Sequence, residues 1–334
     1  MAAFRKLTAA DVRELLEAFE GLGAAAYRSH APVLAGTINT NVRVETAAGT
    51  FFLRINEGKT RDDVAREAAI VAHAAARGVP TPAPRLTHTG EALAAWCGEL
   101  ASVFPWVPGR TLARAEVTPA HAALVGRALA TLHLASTGYG DHRPGRYEPE
   151  EIRRRLEHVA SLGRAELLSP TAVLGLALEG LERQRAATLP TGIIHGDLFI
   201  DNVLYDDARA EDGQPRLAAL LDFEQASWGR FAYDLAVTTL AFGYGRDDFR
   251  ADVTRALLDA YAAARPPTAD ERSAFGAELR FAACRFAVTR ITDVHLKRDA
   301  GAPAGKDFRR YLARLASVEV HLALRDGLLD LPTK

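Results

Sequence analysis

Between residues 192 and 226, a chain whose second half otherwise repeats with helical period turns abruptly β-like, and this short island is what most limits its fold. Residues 193–205 read Ile-Ile-His195-Gly196-Asp197-Leu-Phe-Ile-Asp201-Asn202-Val-Leu-Tyr, a strand, a polar loop and another short strand. Leu217-Ala-Ala-Leu-Leu-Asp222-Phe223-Glu224 follows, an apolar strand with one carboxylate at its end.

Around the island the periodicity predicts helices near residues 119–135, 149–161, 170–187, 230–242, 248–264, 270–298 and 306–325. The first hundred residues read differently. Thr8 and Asp11 have capping-box spacing ahead of a helix over residues 9–20. Period-two alternation over residues 33–55, broken at Ala47-Ala48-Gly49, predicts an antiparallel hairpin. A helix over residues 61–77 and short strands near 84–89 and 100–106 complete this part. The pattern predicts an α+β fold of two lobes: a small β-rich lobe, residues 1–105, and a larger, mainly helical one, residues 106–334.

An Asp with an Asn five positions later, joined by an Asp at the end of a second strand, has the spacing of a kinase-type phosphoryl-transfer site. There the first carboxylate accepts the hydroxyl proton, and the other two groups hold magnesium. Asp197 is therefore the expected catalytic base, and Asn202 and Asp222 are the expected metal ligands. Asp and Asn also form turns, so a hairpin with solvent-facing loops is the plainer alternative, which two segments in the right order disfavour. His195 follows two isoleucines and lacks a second His at metal spacing, which points to a hydrogen-bonded structural side chain.

Strand alternation sets Arg54 on the face where a kinase strand presents its phosphate-binding Lys, with Lys59 as the fallback cation. Glu67 lies within the apolar stripe of its helix and needs a cation, Arg54 by preference, with a surface pair to Arg61 or Arg66 as the alternative. The segment Gly36-Thr37-Ile38-Asn39-Thr40-Asn41 could fold over ATP phosphates through its backbone N–H groups. Phe286, Arg290, Asp293 and Lys297 recur at steps of four, three and four. That face suits a zwitterionic acceptor bound by Arg290 and Asp293, or equally an Arg290–Asp293 ion pair between helices.

These residues resemble the aminoglycoside phosphotransferase and choline kinase superfamily, of protein-kinase-like fold, whose loop reads His-Gly-Asp followed by Asn. The homoserine kinase branch is the nearest match, through Gly36 to Asn41, Asp197 to Asn202, Arg285-Phe-Ala-Val-Thr-Arg290-Ile-Thr-Asp293 and Lys306-Asp-Phe-Arg-Arg-Tyr-Leu. The resemblance implies adenine against Trp106, phosphates near Arg54, Glu67, Gly36 and Asn39, and Asp234 bracing the catalytic loop. It also implies transfer of the terminal phosphate of ATP, with Mg2+ and in an interlobe cleft, to L-homoserine, giving O-phospho-L-homoserine for threonine biosynthesis. Choline, ethanolamine, an aminoglycoside or methylthioribose are alternative acceptors, and a nucleotide-binding pseudokinase is the non-enzymatic alternative suggested by Arg in place of Lys at position 54. The chain departs from the branch in Glu224-Gln-Ala-Ser-Trp-Gly229, where an aromatic-rich stretch is usual, and in Thr238-Thr-Leu-Ala-Phe-Gly243.

Composition excludes several other classes. A formal net charge of -1 with scattered Lys and Arg argues against a nucleic-acid partner. Two cysteines, Cys97 and Cys284, form no metal-ligand spacing and suit a reducing cytoplasm. No apolar run approaches the roughly 18 residues of a membrane span.

Overall fold

The computed structural model describes residues 5–33, 39–185, 188–206, 213–297 and 306–333. The chain divides into two compact units, residues 1–109 and 110–334, so the break falls at Gly109, just past the expected boundary at residue 105.

The first unit is built on a five-stranded antiparallel sheet with strand order β1-β2-β3-β5-β4. Its strands are β1 (Tyr27–Pro32), β2 (Thr40–Thr46), β3 (Gly49–Asn56), β4 (Ala94–Trp96) and β5 (Glu99–Pro105). Helix α1 (Ala9–Glu17) starts at the Thr8 capping box, where the Thr8 N–H donates to Asp11 Oδ2 at 2.7 Å. Its buried Val12, Leu15 and Leu16 pack into one core with Val42, Val44, Phe51, Leu53 and Ile55 from the sheet. Helix α2 (Arg61–Ala75) buries Val64, Ala68, Ile70 and Val71, with Glu67 among them. The predicted strand near residues 84–89 forms only a single bridge, Thr87 to Phe19, and turns at His88 and Thr89. The short β4 was not anticipated.

The second unit contains α3 (Pro119–Leu134), α4 (Pro149–Ser161), α5 (Ala165–Gln184), α6 (Phe231–Phe242), α7 (Ala251–Ala264), α8 (Ala269–Arg290) and α9 (Arg309–Leu324). Every residue of α6 is buried, Asp234, Thr238 and Thr239 included. Helix α5 begins before Pro170 and carries that proline inside it, where the sequence reading had placed it at the start. Helix α8 ends at Arg290 and runs into a π-helical turn, Ile291–His295, so the predicted helix over 270–298 is not one continuous cylinder. The β island consists of two antiparallel pairs, β6 (Thr191–Ile194) with β9 (Ser227–Arg230), and β7 (Val203–Tyr205) with β8 (Leu217–Leu220).

Candidate active site

Burial of Ile193 and Ile194 in β6 carries His195 into the interior, where it is fully buried. Its Nε2 lies 2.9 Å from the Leu221 carbonyl oxygen, and because a carbonyl only accepts, the ring proton belongs on Nε2. The backbone N–H groups of His195 and Gly196 donate to the two oxygens of Asp234, at 2.7 and 2.8 Å. One carboxylate on α6 thus holds two successive amides of the loop.

Asp234 is itself held from behind. His133 Nε2 donates to Asp234 Oδ2 at 3.1 Å, Tyr261 OH to His133 Nδ1 at 2.7 Å, and Arg265 Nη1 to Tyr261 OH at 3.0 Å. Burial pushes the Asp234 carboxyl up, but the hydrogen bonds it accepts from His133 and from the His195 amide outweigh it and hold the group below its ordinary value. Burial dominates at His133 and pushes its pKa down despite Asp234, so the imidazole is neutral and serves as a relay between phenol and carboxylate. Sequence reading missed His133 and Tyr261; a lone His on the buried stripe of a helix, needing a partner, was the available signal.

Gly196 turns the chain with φ +73°, and a Cβ there would lie 2.8 Å from the Gln225 carbonyl oxygen, so only glycine fits. Asp197 follows immediately, with about 30% of its side chain still open to solvent. Burial raises its carboxyl above the usual range, with Arg285 and His195 pulling it down less strongly. The carbonyl of Asp197 accepts from Asn202 Nδ2 at 2.9 Å, which leaves Asn202 Oδ1 as the acceptor end of that amide. The backbone of Asn202 in turn accepts the Leu221 N–H at 2.9 Å, one residue before Asp222. Asp222 adopts φ 62°, ψ 65°, a left-handed conformation that Asp tolerates better than most residues and that costs on the order of 1–2 kcal/mol. Strain of this kind is retained where a side chain has to be aimed.

Asn202 and Asp222 offer an amide oxygen and a carboxylate, both hard donors. Among the described residues no group of three or more His, Cys, Asp or Glu converges into a protein-only metal cage. Mg2+ is commonly held by one or two carboxylates, with phosphate oxygens and water completing its shell, so this pair fits a cation that arrives with a nucleotide.

In the first unit Arg54 Nη2 lies 2.8 Å from Glu67 Oε1, and Lys59 Nζ lies 3.7 Å from Glu67 Oε2. Arg61 pairs with Glu91 instead. Asn39 is buried just ahead of β2, and Trp106 is half-buried with the Arg43 guanidinium 5.1 Å from its ring. Gly36 lies outside the described residues.

The Arg290–Asp293 ion pair, one of the two readings of that face, is absent among the described contacts, since the π-turn rotates Asp293 out of the α8 register. Asp293 meets Arg155 Nη1 at 2.9 Å, while Arg290 stacks over Tyr311 at 4.4 Å. Neither lines the cavity of about 210 Å3 that opens beside Gly196. Tyr147, Arg185, Trp228, Tyr233 and Arg285 do line it. Arg285, only 4% exposed, also reaches Asp197 Oδ1 at 3.4 Å and packs between the rings of Phe286 and Tyr147. Its place in the Arg285–Asp293 stretch was noticed in the sequence, but its contact with Asp197 was not foreseen.

Residues 29–272 match the family model described as the phosphotransferase enzyme family. The chain belongs to this family. A relative from Rhodopseudomonas palustris named homoserine kinase is 31% identical over 330 residues, covering 98% of this chain and 97% of its own. One of the same name from Nitrobacter hamburgensis is 32% identical and covers 94% of each chain. The solved structure of a microcompartment-associated aminopropanol kinase superposes with a TM-score of 0.70 at 18% identity, covering 97% of this chain and 100% of the other. The phosphotransferase is thus a small-molecule kinase of bilobal, protein-kinase-like fold, with a nucleoside triphosphate as donor and a hydroxyl as acceptor. No helix among the described residues is long and apolar enough to cross a membrane.

Proposed function

We propose that the phosphotransferase moves the γ-phosphoryl group of ATP to the side-chain hydroxyl of L-homoserine, yielding O-phospho-L-homoserine and ADP. In this reading the hydroxyl oxygen forms the new P–O bond, the bond from the γ-phosphorus to the ADP oxygen breaks, and the hydroxyl proton passes to Asp197. Asn202 and Asp222 are the proposed holders of Mg2+, which when bound neutralises phosphate charge. Arg54, oriented by Glu67, is the proposed phosphate-binding cation, with Asn39 beside the nucleotide and Trp106 against its base.

The observation that carries the reading is the hydrogen-bonded continuity from Asp197 through Asn202 to Leu221, which ties the proposed base to both proposed metal ligands. Two relatives named homoserine kinase, similar over nearly the whole chain, support the choice of acceptor.

The test is ADP release with Mg-ATP and a panel of acceptors: L-homoserine, choline, ethanolamine, 3-amino-1-propanol, methylthioribose and an aminoglycoside. The expected result is the highest kcat/KM for L-homoserine. Faster turnover of any other member would reject the specific assignment.

A further inference from the structure

The walls and foot of the cavity hold an unusual accumulation of arginine. Arg146, Arg185, Arg230 and Arg285 all line it, and Glu148 is the only acidic residue among the lining groups. Beneath them Glu278, fully buried, accepts from Arg185 Nε at 3.2 Å, pairs with Arg185 Nη2 at 3.0 Å and accepts from Arg230 Nη1 at 3.0 Å. With Asp197 against Arg285, four guanidinium groups face three carboxylates.

Two of those cations carry donors without a partner among the described residues. Arg185 Nη1 and Arg285 Nε are buried and make no hydrogen bond among the described residues. A buried polar group left unsatisfied costs about 1–3 kcal/mol, so each such donor in a fold calls for an explanation. Both groups are also held rigid. Arg185 stacks over Phe281 at 3.7 Å while Glu278 fixes two of its nitrogens, and Arg285 is clamped by two rings. A planar fork held in place in this way suits recognition of a carboxylate. Tyr233 lines the same wall; burial pushes its phenol up to about 12, so it stays a neutral donor beside the two arginines.

We propose that this cavity reads a carboxylate on the acceptor: Arg185 and Arg285 bind the carboxylate of an amino-acid alcohol, and Glu148 takes its ammonium group. The inference rests on the kinase reading for the hydroxyl's place beside Asp197, and it adds the residues that separate an amino-acid alcohol from an amino alcohol. Arg290 and Asp293 do not line this cavity.

The experiment compares wild type with Arg185→Met/Glu278→Gln, in which Glu278 loses its charge so that it is not left buried and underpaired. Thermal melting establishes that both proteins fold, and Arg185→Lys, which keeps a cation beside Glu278, serves as the second variant. Turnover is measured with L-homoserine and with 3-amino-1-propanol, which lacks only the carboxylate. Binding is measured by calorimetry with L-2-aminobutyrate, which keeps carboxylate and ammonium but has no hydroxyl. Wild type is expected to favour L-homoserine by about 10²-fold in kcat/KM, the range of a charge-assisted hydrogen-bonded contact. In the double variant that preference should collapse to within about fivefold, through KM, and L-2-aminobutyrate binding should weaken at least about tenfold, with Arg185→Lys intermediate. If wild type fails to phosphorylate L-homoserine but binds L-2-aminobutyrate in an Arg185-dependent way, the acceptor assignment falls and the carboxylate site stands. Unchanged discrimination and unchanged L-2-aminobutyrate binding in folded variants overturn the site.

Discussion

The catalytic loop and the cavity beside it are neighbours built in opposite ways. The loop is local: residues 195–202 and 221–222 are tied by main-chain hydrogen bonds and by one carboxylate that grips two amides. The cavity wall is assembled from side chains on the segment before α4, the end of α5, β9, α6 and α8. Chemistry common to a family needs a fixed backbone, whereas recognition of one acceptor is adjustable residue by residue. The first of the two segments read as departures from the homoserine kinase pattern, Glu224 to Gly229, supplies Gln225, Ser227, Trp228 and Gly229 to that wall, and the second, Thr238 to Gly243, does not reach it.

If the division holds, the largest loss follows from touching the loop's charge without its shape. Asp222→Asn keeps a residue tolerant of the left-handed backbone, so melting should shift little while kcat falls about 10³-fold. A Mg2+ titration that leaves the variant as active as wild type would break the distinction. Next comes the brace. Asp234→Asn substitutes an N–H donor for one of the two acceptor oxygens, so either the His195 or the Gly196 amide loses its partner. The loss in stability should be about 1–3 kcal/mol, with a fall in kcat and little change in the ratio between acceptors. A change in that ratio instead would mean that loop and wall are not separable.

A smaller effect is expected from pH. His133 is buried with a depressed pKa, so as pH falls through about 6.5 the unfolded chain takes up a proton that the folded protein refuses, and stability declines. Asp234, also depressed, adds stability that is present above its unfolded value near 3.9 and is lost as pH falls further through its folded one. Below pH 7 the melting temperature of wild type should therefore fall relative to that of His133→Asn, which lacks the refused proton. The smallest change is expected on the first unit. Arg54→Lys keeps the charge beside Glu67 but loses the planar fork, so KM for ATP should rise about two- to fivefold with acceptor preference intact.

Legibility in the sequence follows the same division. The strand-loop-strand pattern around Asp197 and the strand ending in Asp222 could be read because their partners are close in the chain and the alternation is strong. The π-turn at Ile291–His295 could not, because an extra residue in a helical turn leaves the apolar period nearly intact while rotating Asp293 to Arg155. Strand β4 is only three residues long, below what alternation can mark. Arg185 and Glu278 are 93 residues apart and joined by a side-chain pair, a contact that periodicity does not encode.

The central claim is that Asp197 takes the acceptor's proton on a loop already shaped for transfer. Its most direct measurement is single-turnover transfer of labelled phosphate from Mg-ATP to L-homoserine by Asp197→Asn, with nucleotide affinity measured in parallel. Transfer slowed by about 10²- to 10⁴-fold with ATP binding within about threefold of wild type is the predicted result. Transfer at the wild-type rate in the folded variant would contradict it.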